Sequence, residues 1–198
     1  VKRPRACENS LASASSPFPR PSLARYSSIM LQSRTEVRVR KGMQRDAAAL
    51  ASVFRESWLV AYRGIIPQLH LESMIRRRDK AWWQNAARGS DGLLVLEVAG
   101  KVAGYATFGR ARGRGKYQGE IYEIYLAPSY QGVGLGEHLF EGARYALDER
   151  RLNGLIVWAL TGNEIAADFY WRRGGRPVGK MTEKVGGVLL EKIGYGWA

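Results

Sequence analysis

The sequence predicts a mixed α/β fold, of the α+β kind, in which helices flank a mostly antiparallel sheet. Strand-like segments, rich in β-branched and aromatic residues, alternate irregularly with segments whose apolar residues recur at helical spacing. A glycine-rich turn joins a strand to a helix near the centre of the second half. The predicted order is strand, two or three helices, three strands, helix, strand, helix and two strands.

The composition is that of an ordinary globular protein with a basic surplus. Of the 198 residues, 45% are hydrophobic and 25% are charged, and the net charge is +13. One cysteine, Cys7, excludes an intramolecular disulfide framework, and two histidines are too few for a typical histidine zinc site, so we expect no metal. No apolar run approaches the roughly 18 residues of a membrane span. We therefore expect a cytoplasmic protein, monomeric or homodimeric, that does not act at a membrane.

The N-terminal segment differs in composition from the rest. Residues 1–35 are predicted to form a disordered, basic extension rich in Ser, Pro and Arg, and residues 36–198 a single domain. Its composition resembles that of an organelle transit peptide, but it has no continuous apolar stretch of the secretory kind. We expect an extension without function, because Met30 or Met43 is a possible start.

The first half of the predicted domain alternates a strand, helices and a hairpin. An apolar stripe of near 3.6 periodicity begins a helix at Asp46. The basic loop at residues 109–116 is interpreted as a solvated hairpin loop, with a nucleic-acid or phosphate patch as the alternative. Strands are predicted at residues 37–39, 93–98 and 102–108, and helices at residues 46–61, 68–74 and 78–87.

The second half is built around a central strand at residues 121–127, which Pro128 ends because proline cannot donate to the ladder. The nearly continuous apolar run at residues 154–160 predicts a strand buried on both faces. The remaining predicted elements are a helix from Gly134 to near Arg151, a short helix at residues 163–173, and a final hairpin at residues 176–184 and 187–195.

A glycine-rich loop follows the central strand and contains Gln131, Gly132, Gly134 and Gly136. Three glycines in five residues let the backbone turn sharply and approach a ligand closely. Free amides at the helix start favour an anion, most often phosphate, although a plain glycine-rich turn is the alternative. Glu137 stands where a Walker loop requires lysine and where a dinucleotide fingerprint requires a third glycine, so both motifs are excluded.

The spacing Gln131-x-x-Gly134-x-Gly136, after a strand ending in Leu-Ala-Pro, resembles the acetyl-CoA pyrophosphate loop of the GNAT superfamily of N-acetyltransferases. The superfamily commonly carries a second motif, Asn-x-x-Ala-x-x-Phe-Tyr-x-x-x-Gly, after the next strand. The chain matches it with Asn163, Ala166, Phe169, Tyr170 and Gly174.

The resemblance, which extends over residues 36–197, implies a GNAT fold with splayed central strands. It also implies an acetyl-CoA-dependent N-acetyltransferase that moves the acetyl group to a primary amine of a small molecule, peptide or protein by direct attack. Pantetheine would lie along the central strand, and Asn163 would bind it or serve as a helix N-cap. The implied cofactor-binding residues are Leu126, Ala127, Gln131, Gly132, Val133, Gly134, Gly136 and Asn163.

The resemblance also implies the catalytic residues. Tyr170 corresponds to the tyrosine that protonates the departing thiolate, and the alternative is a packing role beside Phe169. Glu120 and Glu123 are the candidate bases, acting directly or through water, or else surface charges. Three residues apart on a strand, they face opposite sides unless a bulge intervenes.

Two rival functions stay open at this point. One is a GNAT relative that uses a longer acyl-CoA. The other is a basic nucleic-acid-binding module, which accounts for the charge but not for the two spaced motifs, so we expect no nucleic-acid partner. The acceptor amine is expected to contact residues 62–74 and the loop at residues 109–116.

Overall fold

Seven strands, five α-helices and two short 3-10 helices lie in the part of the chain that the computed structural model describes, residues 36–113 and 115–198. The predictions for residues 1–35 lie outside the described residues. The strands are β1 (Val37–Lys41), β2 (Gly92–Val98), β3 (Lys101–Arg110), β4 (Gly119–Leu126), β5 (Leu155–Leu160), β6 (Arg176–Val185) and β7 (Val188–Trp197). The helices are α1 (Ala47–Tyr62), α2 (Gln68–Arg77), α3 (Lys80–Ala86), α4 (Leu135–Glu149) and α5 (Glu164–Arg172).

The strands form one mixed sheet in the order β1-β2-β3-β4-β5-β7-β6. All neighbouring strands are antiparallel except β4 and β5, which are parallel. That parallel pair is in register only from Gly119 opposite Leu155 to Ile121 opposite Val157, after which the two strands part. The predicted fold class, with its splayed central strands, is therefore confirmed.

Each face of the sheet carries its own hydrophobic core. Helices α4 and α5 cover one face, and α1, α2 and α3 cover the other. Helix α4 shows why the sequence folds this way, because its buried residues recur at helical spacing and each contributes about 1.5–3 kcal/mol when fully buried, except the smaller alanine. These residues are Leu139, Phe140, Ala143 and Leu147.

Helices α2 and α3 are separated by a short break, and a local signal accounts for the start of α3. The second helix runs further than predicted, to Arg77, and a short break precedes α3. The side chain of Asp79 caps α3 by accepting a hydrogen bond from the N–H of Trp82 at 2.8 Å. No helix in the described ranges is long and apolar enough to cross a membrane.

Strand β5 differs from its prediction on one face. Leu155, Val157 and Ala159 are buried in the core beneath α4 and α5, as a strand buried on both faces requires. Ile156 and Trp158, on the opposite face, are only half-buried. Trp158 borders an open cavity, described below, so that face lacks the continuous packing that the apolar run predicts.

Candidate active site

The parting of β4 and β5 leaves backbone groups without a strand partner. The N–H of Ala127 donates to the carbonyl of Ala103 at 2.9 Å, so this residue directs its backbone groups toward β3. Because successive residues of a strand point to opposite neighbours, Leu126 and Ile124 direct theirs toward β5, beyond the point where pairing ends. The carbonyl of Leu126 accepts a hydrogen bond from Gln131 Nε2 at 2.9 Å. The amides of Ile124 and Leu126 therefore face the gap between the strands.

Ala127 is placed differently from the other predicted backbone contacts. Its N–H is taken by Ala103, and its carbonyl accepts the N–H of Tyr130 at 2.9 Å. Both backbone groups of this residue are thus engaged within the protein. The open amides at the parted strands belong to Ile124, which the sequence did not single out, and to Leu126, which it did.

The glycine loop forms an open turn at the start of α4. Gly132 has φ +78 and Gly134 has φ +82, a left-handed conformation that favours glycine, and nothing lies within 4 Å of where a Cβ would stand at either position. Val133, between them, is 71% exposed. Gly134 is the N-cap of α4 and makes no side-chain cap, so the first amides of the helix lack such a partner.

Gly136 serves a different purpose from the other two glycines. A Cβ at this position would lie 3.0 Å from the ring of Phe169 on α5. That distance is tighter than ordinary packing, so the missing side chain lets the first turn of α4 approach α5 closely. The loop therefore combines an outward-facing turn with an inward-facing contact that fixes it.

A cavity of about 570 Å³ lies on the face of the sheet that α1, α2 and α3 cover. Its walls carry six aromatic rings and charges of both signs. The rings belong to Trp58, Tyr62, Trp82, Tyr122, Tyr125 and Trp158. The charged residues are Arg78, Asp91, Arg112, Glu123, Glu183 and Lys192. The segments that the sequence assigns to the acceptor, residues 62–74 and 109–116, both contribute to this lining.

A bulge in β4 decides which way its two glutamates face. The pairing of β3 with β4 shifts register at Tyr122, so an extra residue interrupts the alternation. Ile121 and Ile124, three residues apart, consequently both pack into the core beneath α4 and α5. Glu120 and Glu123 then share the opposite face, which is the outcome that the sequence left conditional on a bulge.

Glu123 lines the cavity and has two partners there. Its side chain is 12% exposed and forms an ion pair with Nη1 of Arg78. Its second oxygen accepts a hydrogen bond from the Tyr105 hydroxyl at 3.1 Å. Burial, with the nearby Glu123 charge, raises the pKa of Tyr105 well above its usual value, so this hydroxyl keeps its proton and donates.

Glu120 is held by the loop that follows β3. Its side chain is 3% exposed, and its carboxylate accepts Nη2 of Arg112 at 2.7 Å and the Arg112 backbone N–H at 2.8 Å. The guanidinium of Arg112 stacks over the ring of Tyr122, 4.3 Å from its centroid. Glu120 does not itself line the cavity, so its immediate task is to anchor Arg112.

Tyr170 lies on α5 within an aromatic cluster. Its ring centroid is 5.4 Å from that of Phe169, 5.6 Å from Tyr195 and 6.1 Å from Trp197. Its hydroxyl makes no hydrogen bond with any residue the structure describes, and burial, with smaller effects from Tyr62 and Tyr195, raises its pKa above the usual 10. The ring therefore packs as the alternative role requires, and its role as an acid stays a prediction.

Asn163 caps α5, since its side-chain oxygen accepts the N–H of Ala166 at 3.1 Å. The cap occupies the oxygen, and a contact of Asn163 with pantetheine stays a prediction. The hydroxyls of Tyr62 and Tyr125 hydrogen-bond to each other across the cavity wall. Sequence reasoning missed this pair, because only the packing of α1 on β4 brings the two rings together.

Arg78 is a further residue that the sequence did not indicate. It is the first residue of a predicted helix and follows two other arginines, with no spacing that ties it to β4. In the structure it follows α2 and reaches Glu123, 45 residues away. No periodic pattern signals a pair at that separation.

Comparison with known proteins gives a consistent result. The model of the family described as "Acetyltransferase (GNAT) family" matches residues 51–175. The Bacillus subtilis (strain 168) protein named "Uncharacterized N-acetyltransferase YuaI" is 31% identical over 164 residues, which cover 81% of this chain and 92% of that protein.

Solved structures share the fold. PaiA N-acetyltransferase from Thermoplasma acidophilum, in complex with coenzyme A, superposes with a TM-score of 0.65 at 21% identity, covering 80% of this chain and 98% of that one. The structure of yncA from Salmonella typhimurium, with its cofactor acetyl-CoA, has a TM-score of 0.60 at 19% identity, covering 82% and 94%. At these identities the likeness concerns the fold alone.

Proposed function

Because this chain belongs to the acetyltransferase (GNAT) family, we propose that it transfers the acetyl group of acetyl-CoA to a primary amine by direct attack. The observation that carries the proposal is the gap between β4 and β5, which opens beside the glycine loop. A gap of this kind exposes backbone donors that a continuous sheet would occupy. Two structures of the same fold hold coenzyme A or acetyl-CoA, in agreement with this assignment.

The residues present fit acetyl-CoA. The positive-φ turn at Gly132 and Gly134 leaves open space in front of it, and the first amides of α4 favour the negative pyrophosphate there. The amides of Ile124 and Leu126 are available to the pantetheine arm along the gap. Gln131 ties the loop to the end of β4, which fixes the two parts of the site relative to each other.

Acetyl transfer needs three further contributions from the protein: stabilisation of the carbonyl oxygen, a proton for the thiolate, and a base for the amine. The bound thioester supplies an electrophilic carbonyl carbon and a thiolate leaving group. Amides at the strand gap are suited to stabilise the negative charge that develops on the carbonyl oxygen, a contribution of about 3–4 kcal/mol for one well-placed donor. Tyr170 is assigned as the group that donates a proton to the thiolate.

Glu123 is assigned as the group that accepts the proton of the attacking amine, directly or through water. It lines the cavity, whereas Glu120 is 3% exposed and does not line it. Glu123 is also next in sequence to Ile124, whose amide faces the gap, so the amine and the carbonyl would meet at one point of β4. Glu120 then acts by positioning Arg112 at the edge of the cavity.

The proposal is tested by a thermal shift followed by an activity assay. Acetyl-CoA at 100 times its Kd should stabilise the protein by about 2.7 kcal/mol, which raises Tm by about 5–10 °C for a domain of this size. An oligonucleotide should leave Tm unchanged. Thiol release should require both acetyl-CoA and an amine, and longer acyl-CoAs should react more slowly. Stabilisation by the oligonucleotide and not by acetyl-CoA would contradict the proposal in favour of the nucleic-acid-binding rival.

A further inference from the structure

Arg78 is a cation that packs against three aromatic rings beside the cavity. The guanidinium carbon lies 4.6 Å from the ring centroid of Trp82, 4.8 Å from that of Phe54 and 5.6 Å from that of Trp58. These contacts hold the plane of the guanidinium while the side chain stays 26% exposed toward the cavity. The aromatic pocket is thus already occupied by one of the protein's own positive charges.

The guanidinium keeps hydrogen-bonding capacity that the protein does not use. Nη1 donates to Glu123, and neither Nε nor Nη2 donates to any residue within the described ranges. A guanidinium has five N–H donors in a planar fork that matches a carboxylate. Arg78 therefore presents spare donors at the cavity.

The carboxylate of Glu123 places a negative charge next to the Arg78 guanidinium. One oxygen accepts from Arg78 and the other from Tyr105, yet a carboxylate offers about four acceptor positions. Arg78 and Glu123 together present a donor edge next to an acceptor edge. A ligand that carries an ammonium and a carboxylate on neighbouring atoms has the complementary arrangement.

We infer that the acceptor is a free α-amino acid with an apolar side chain, an inference that rests on the proposed function. Its carboxylate lies on Arg78 and its amine on Glu123, beside the gap in the sheet. Its side chain occupies the apolar part of the cavity, formed by Ile66, Met74, Leu160 and Val185. The cavity volume of about 570 Å³ is that of a small-molecule site.

The bonds and protons of the acetyl transfer balance with an amino acid as the acceptor. The ammonium first loses a proton to Glu123 or to water, and the free amine then attacks the thioester carbonyl. The C–N bond of the amide forms and the C–S bond breaks. The amide nitrogen releases a second proton, so that of the two protons lost one is taken up as the thiol and one reaches solvent.

Other acceptor classes fit the cavity less well. A polyamine would bring a second positive charge toward Arg78, and the cavity wall carries three cations against three carboxylates, so it offers no surplus of negative charge to a second ammonium. A peptide N-terminus has an amide where the amino acid has its carboxylate, so it would leave the spare donors of Arg78 without a charged partner. Both classes serve as rival outcomes in the test.

The test compares matched acceptors on the full chain. The twenty amino acids are first assayed with acetyl-CoA by thiol release, and the best apolar one is compared with its amide and with its decarboxylated amine. We expect the amino acid to have a kcat/KM about 10- to 100-fold above both, the ratio expected for one hydrogen bond between charged groups. Spermidine and a short peptide with a free N-terminus should be poorer still.

The variant Arg78→Gln tests whether Arg78 causes the preference for the amino acid over its decarboxylated amine. This variant should lower kcat/KM for the amino acid by about 10- to 100-fold and should change kcat/KM for the decarboxylated amine much less. The two acceptors should then react with similar kcat/KM. Arg78→Lys, which keeps the charge without the fork, should restore part of the preference. Arg76→Gln removes an arginine that is 71% exposed on α2 and outside the cavity, and should leave the preference unchanged.

The outcomes separate this inference from the proposed function. If wild-type protein binds acetyl-CoA but prefers the decarboxylated amine, the peptide or spermidine, the inference is overturned and the proposed function stands. Acetyl-CoA binding without acetylation of any amino acid overturns it as well. An equal loss for both matched acceptors in Arg78→Gln shows that Arg78 acts only by holding Glu123, which also overturns the inference. Should that variant fail to fold, the wild-type comparison alone decides.

Discussion

Replacing Tyr170 by phenylalanine removes one hydroxyl and tests the assigned proton donor. The hydroxyl makes no hydrogen bond with a described residue, and the ring is enclosed by Phe169, Tyr195 and Trp197. The aromatic packing therefore survives the substitution, and no protein partner loses a hydrogen bond. We expect the free energy of unfolding to change by less than about 1 kcal/mol.

Turnover should fall by roughly 10- to 1000-fold, overlapping the usual range for general acid catalysis. A 100-fold loss corresponds to about 2.7 kcal/mol of transition-state stabilisation. The loss belongs to the small end if the thiolate leaves readily without help, because its conjugate acid has a pKa of about 8.5. Affinity for acetyl-CoA should change little, since the proton is required only in the transition state.

The assay measures kcat, the Kd of acetyl-CoA and Tm on one preparation. Tyr195→Phe is the matched control, because Tyr195 is equally buried and lies in the same cluster without an assigned catalytic role. Burial raises the pKa of Tyr170, so the hydroxyl stays protonated as the pH rises to 9, and the wild-type rate should show no loss from this group in that range. Wild-type turnover in folded Tyr170→Phe, with chemistry rate-limiting, would refute the assignment and leave solvent as the donor.

Two further predictions concern the loop and the stability of the fold. Gly134→Val and its control Gly100→Val place the same side chain at positive φ in open space, so each should lower the free energy of unfolding by at least about 1–2 kcal/mol. Only Gly134→Val should weaken acetyl-CoA binding, by about 10-fold or more in calorimetry. Equal affinities would remove the loop from the cofactor site. The Arg40 guanidinium lowers the pKa of Asp46, so this pair stabilises the protein above pH about 4 and less as the pH falls through the lowered pKa. Asp46→Asn should therefore cost about 2 kcal/mol in urea unfolding at pH 7 and progressively less as the pH falls below about 4, and a cost that does not change with pH would contradict the ion-pair role.

Much of this protein could be predicted from short stretches of sequence. The apolar spacing of α4, the strand composition of β4 and the glycines between them are local features, and each is set by steric and packing preferences within a few residues. The order of such elements led to the mixed sheet, and the resemblance to the family implied its parted central strands. The two spaced motifs led to the family in the same way.

The candidate site depended on contacts that no short stretch contains. The bulge at Tyr122, which turns Glu120 and Glu123 to one face, arises from the register of β4 against β3. Arg78 meets Glu123 only because α1 to α3 pack on that face of the sheet, and Arg112 meets Glu120 only through the turn after β3. A single extra residue in a strand moves every later side chain of that strand to the opposite face of the sheet, and pairs that are distant in sequence form only when the chain packs. The tertiary structure alone therefore decided which charges share the cavity.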